Sequence, residues 1–145
     1  MMANAVLIAI LSCGGFFTVG LVTGIWKYRK MITSPEGKAP VYVDICHRSA
    51  LMYSFACLVL VKFAELSAWP SAVNVMGVVA AVTFFTTAVL IYAVHGWLNN
   101  TDNMLKQPPG VSHSPGVHGY VTLVVLGELG GFLVLFSGFL KSLLS

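Results

Sequence analysis

The amino-acid sequence reads as an all-α integral membrane protein, with four transmembrane helices in an antiparallel bundle and both termini facing outward. Three observations carry this expectation. Of the 145 residues, 57% are hydrophobic and only 9% are charged, against about 25% charged in an ordinary soluble domain. The apolar residues gather in four runs, each near the roughly 20 residues that a helix needs to cross the hydrocarbon. Within each run the apolar character is nearly continuous and does not alternate, which favours helices over barrel strands.

The first span covers about residues 5–26 and stops at the basic run "KYRK". No basic leader precedes it and no A-x-A site follows, so it is read as an uncleaved span. A polar loop, "MITSPEGKAPVYVD", leads to the second span at about 47–69, which Pro70 closes. A short turn near "AWPSAVN" joins it to the third, at about 73–98. The Pro/Gly-rich loop "NNTDNMLKQPPGVSHSPG" precedes the fourth, at about 118–140. One four-span domain fills the chain. Gly20 and Gly24, and again Gly127 and Gly131, are four apart, the spacing at which small residues let helix backbones approach.

Orientation is read from basic residues near the span ends. Lys27, Arg29, Lys30, Lys38, Arg48 and Lys106 fall on one side, and Lys141 on the other. Both long loops are therefore expected to face the cytoplasm, across the inner, cytoplasmic membrane. The net charge of +3 is too small to point to nucleic acid. Cys13, Cys46 and Cys57 form no C-x-x-C pair, so neither a zinc knuckle nor a redox dithiol is indicated.

The four histidines all fall toward the cytoplasmic side. His47, His95 and His118 belong to three different spans at similar depth, and His113 lies in the Pro/Gly-rich loop. Imidazole is a common metal and haem ligand, so three rings at one level can build such a site. They can equally be interfacial groups bonded to headgroups and water. Arg48 is either a snorkelling anchor or a partner for a haem propionate. Glu128 lies about ten residues inside the fourth span, where a carboxylate is a functional candidate by default. It can pair with Lys62, or serve as an interhelical hydrogen bond. Lys62 and Glu65 are three apart on one face, as a local ion pair or as steps toward Glu128. Tyr53 and Tyr92 lie inside spans and need hydrogen-bond partners.

"SPEG", followed by a histidine at the cytoplasmic start of the second of four spans, resembles the styrene oxide isomerase group. The resemblance covers the four-span layout and, in detail, residues 34–54. It implies a trimeric membrane protein with haem b between subunits, bound axially by His47. Ferric iron in that family acts as a Lewis acid that converts an epoxide to a carbonyl compound. Where the family has an asparagine six residues after this histidine, the chain has Tyr53. The family's carboxylate in span three has no counterpart, and Thr83 stands near its level. Tyr92 is the candidate match to a tyrosine of span three, so Tyr53 and Tyr92 are the catalytic candidates. Three further readings remain open: a six-coordinate haem protein for electron transfer or sensing, with His95 or His118 as the second ligand; an accessory subunit of a larger membrane complex; and a proton-coupled transporter using Glu128, Lys62 and Glu65.

Overall fold

In hydrocarbon a backbone amide finds no partner outside its own helix, so long apolar runs fold as uninterrupted helices. The computed structural model describes residues 3–106 and 115–144. It contains α1 (Asn4–Thr33), α2 (Val41–Leu66), α3 (Ser71–Leu98) and α4 (Pro115–Leu144). All four are long and apolar enough to cross a membrane, and no strand occurs among the described residues. At 26 to 30 residues each exceeds the roughly 20 that the hydrocarbon requires. The helices therefore outrun the apolar segments read from the sequence. α1 continues through its basic run to Thr33, and α2 starts at Val41, which places His47 nearly two turns inside it.

Prolines mark two of the starts. Pro40 and Pro70 sit at the N-cap positions of α2 and α3, where a missing N–H costs nothing because the first amides of a helix lack partners anyway. Their carbonyls accept from Asp44 and Asn74 respectively. α3 ends at Asn99, which takes a left-handed conformation (φ 47°) and donates its N–H to the His95 carbonyl, a common helix stop.

The packing is antiparallel between neighbours. Along the α1–α2 seam, Gly20 meets Leu51, Gly24 meets His47 and Lys27 meets Asp44. Along α3–α4, Gly77 meets Gly131 and Thr87 meets Tyr120. α2 and α3 also pack together, whereas α1 and α4 do not touch. The cross-section is thus a rhombus, with α2 and α3 across the short diagonal. Its interior is built largely from small side chains, among them Ala9, Cys46, Ala50, Cys57 and Ala81. Most large apolar side chains face outward, such as Leu11, Met52, Met76 and Leu126, as expected where the surroundings are lipid.

Both glycine pairs noted in the sequence lie at these seams. A Cβ on Gly131 would stand 2.5 Å from the Gly77 carbonyl oxygen and 2.8 Å from the Ala81 nitrogen, both backbone atoms. Gly131→Ala should therefore push α3 and α4 apart at a cost of about 1–3 kcal/mol. Gly14, which has open space around it, is the control: Gly14→Ala should leave stability unchanged or raise it, by up to about 1 kcal/mol. Thermal unfolding in detergent compares the two, and equal midpoints would sink the close-packing account.

Candidate functional site

His47 lies on α2 and turns toward α1. Its Nδ1 is 2.8 Å from the Gly20 carbonyl oxygen. A carbonyl only accepts, so Nδ1 carries the proton and donates it, and in the neutral ring the lone pair is left on Nε2. Metal-bound histidines commonly hold their second nitrogen in this way. The ring lies against Gly24, where a Cβ would stand 3.0 Å from Cε1 and 3.3 Å from Nδ1. The Gly20/Gly24 pair therefore both brings α1 to α2 and seats the imidazole.

One turn earlier on α2, Asp44 ties the two helices together. Lys27 Nζ is 2.6 Å from its Oδ1, and Arg48 Nε is 2.9 Å from its Oδ2. An acidic residue in a first helical turn also meets the positive end of the helix dipole. Arg48 projects outward, with 64% of its side chain exposed, the posture of an interfacial anchor whose outer nitrogens stay available.

The three histidines do not converge within one chain. His95 packs its ring on Tyr42, centroids 5.0 Å apart, and Tyr42 in turn stacks on Tyr92 at 6.1 Å. Its Nδ1 is buried without a hydrogen-bond partner among the described residues. His118 is exposed on α4, the helix that does not touch α1. No group of three His, Cys, Asp or Glu side chains able to hold a metal occurs among the described residues. His113 lies outside the described residues.

A second polar centre lies further along α2. Tyr53 donates to Glu128 Oε1 at 2.9 Å, and its ring stacks on Phe85 with centroids 4.2 Å apart. Glu128 is thus an interhelical acceptor between α4 and α2. Lys62 is instead 3.3 Å from Glu65, both on the outside of α2. Tyr92 and Tyr120 line a small cavity of about 70 Å³ together with Met104, and Tyr120 donates to Thr87 Oγ1 at 3.1 Å. Tyr53 and Tyr92 are both part-buried in the bundle, and Tyr53 also lies against Phe16 of α1, centroids 6.0 Å apart.

Several participants carry no signal in the sequence. Gly20 acts through its carbonyl, Tyr42 as a ring under His95 and an acceptor for the Met104 N–H at 2.7 Å. The glycine spacing was visible, but the imidazole it seats was not.

Tyr53→Phe leaves the Glu128 carboxylate without its donor and should lower stability by about 1–3 kcal/mol, the range for a partly buried unpaired group. Adding Glu128→Leu removes the orphaned carboxylate and should restore part of that loss. Chemical unfolding of the single and double variants in detergent reads both; simple additivity of the two losses would contradict the pairing.

No family model, curated protein or solved structure matches the chain, so its function is read from the chemistry of these two centres.

Proposed function

We propose that the chain is an integral membrane protein that holds haem b through Nε2 of His47, on the lipid-facing flank of the α1–α2 seam. The observation that supports this most is the 2.8 Å hydrogen bond between His47 Nδ1 and the Gly20 carbonyl. It sets the tautomer, keeps the ring orientation and raises the basicity of Nε2, as second partners of ligating histidines do. Gly24 leaves the space that a side chain would take from the ring. The outer surfaces of α1 and α2 are apolar and exposed, with Phe17 and Leu21 on α1 and Met52 and Phe55 on α2. Arg48, with outer nitrogens free of Asp44, suits a propionate.

Held there, haem would supply Lewis-acid chemistry toward a lipophilic epoxide, as in the styrene oxide isomerases that the chain resembles. The chain contributes the ligand, its orientation and a dry apolar wall that admits a substrate from the bilayer. Tyr53 and Tyr92 point into the bundle, and His95 and His118 lie away from the seam. A second copy would complete the surroundings of His47 Nε2, as the homo-oligomer, a trimer, implied by the resemblance would do. The basic residues near the loop end support a reading with that end in the cytoplasm and both termini outside the inner membrane.

Protein expressed with haem supplied and purified in detergent should show a Soret band. His47→Ala should abolish it, and added imidazole should restore it, whereas His95→Ala and His118→Ala should leave it in place. Gly24→Ala should reduce haem occupancy, because its Cβ presses on the ring. A folded wild-type protein without a Soret band would overturn the reading, as would a spectrum unchanged by His47→Ala.

A further inference from the structure

The Glu128 centre opens onto a groove that the haem reading does not use. α2, α3 and α4 leave a space of about 470 Å³ between Ala56, Leu60, Phe85, Leu129 and Phe132, with Glu128 as the sole titratable lining residue. That volume falls within the roughly 300–1,000 Å³ typical of small-molecule sites. Leu129, on the rim, is 52% exposed, so the groove is entered sideways from the lipid. Tyr53 holds one oxygen of the carboxylate, and among the described residues no other hydrogen-bond partner reaches Glu128.

A lipid acyl chain can fill such a groove but offers a carboxylate nothing, and an unpaired carboxylate at this depth is costly. An occupant with a cationic donor head removes that cost through a charge-assisted hydrogen bond. Phe85 and Phe132 line the groove beside Glu128, and an aromatic lining suits an aromatic body. We propose that this groove binds lipophilic amines, the protonated head on Glu128 and the apolar body against Phe85 and Phe132. The groove is lined by none of the residues assigned to haem.

The test uses the full chain in phosphatidylcholine nanodiscs, titrated calorimetrically with 4-phenylbutylamine and its neutral counterpart 4-phenylbutanol. Wild type should prefer the amine by about tenfold or more, which corresponds to about 1.4 kcal/mol. Glu128→Gln, which keeps an acceptor for Tyr53, should erase the preference while the haem spectrum and elution volume stay as in wild type. Leu129→Trp, which fills the groove from its exposed rim, should weaken both probes. Equal binding of amine and alcohol to wild type overturns the proposal, and so does an amine preference that survives Glu128→Gln. Loss of amine binding in every form, together with a change of oligomeric size in Leu129→Trp, also overturns it by making the groove a contact between copies.

Discussion

Helices in hydrocarbon gain nothing by hiding apolar surface from lipid tails, which are as apolar as they are, so this bundle depends on backbones coming close at glycine. The approach of Gly131 to Gly77 and Ala81 fixes α4 on α3, and that of Gly20 and Gly24 to Leu51 and His47 fixes α1 on α2. Dispersion falls steeply with distance, so a methyl group at these points removes contacts along a whole seam. The small interior side chains and the large lipid-facing ones follow from the same requirement.

Polar groups then settle register where packing alone is permissive. Asp44 joins Lys27 and Arg48 at the basic end. Tyr53 and Glu128 join α2 to α4 at mid-depth. At the opposite end Trp69 donates to Ser137 Oγ at 3.1 Å, and Lys141 lies 4.3 Å over its ring. Asp44–Lys27 and Tyr53–Glu128 each link α2 to another helix, at different levels, so sliding α2 breaks both. Surface ion pairs contribute little singly, and the value of these lies in their placement.

Helix number, approximate position and the close-packing glycines were legible in the sequence, because lipid imposes length, apolarity and small residues directly on the chain. The ends were less so: "KYRK" is a strong helix former whose side chains reach the headgroups, so charge ended the apolar run without ending α1. Partners were least legible. Glu128 looked equally suited to Lys62, but Lys62 sits on the outside of α2 beside Glu65, and the carboxylate meets a tyrosine from the interior face. The sequence suggested a shared depth for His47, His95 and His118; their directions around three helix axes it did not. Only the rotation of each helix, set by its neighbours, sends His47 to α1 and His95 to Tyr42.

α2 carries one residue of each centre, His47 bonded to α1 and Tyr53 bonded to Glu128 of α4. The two are six residues apart on it, about 9 Å along the axis. The one helix therefore fixes the axial distance between the histidine and the tyrosine, while the groove beside Glu128 is lined by other residues.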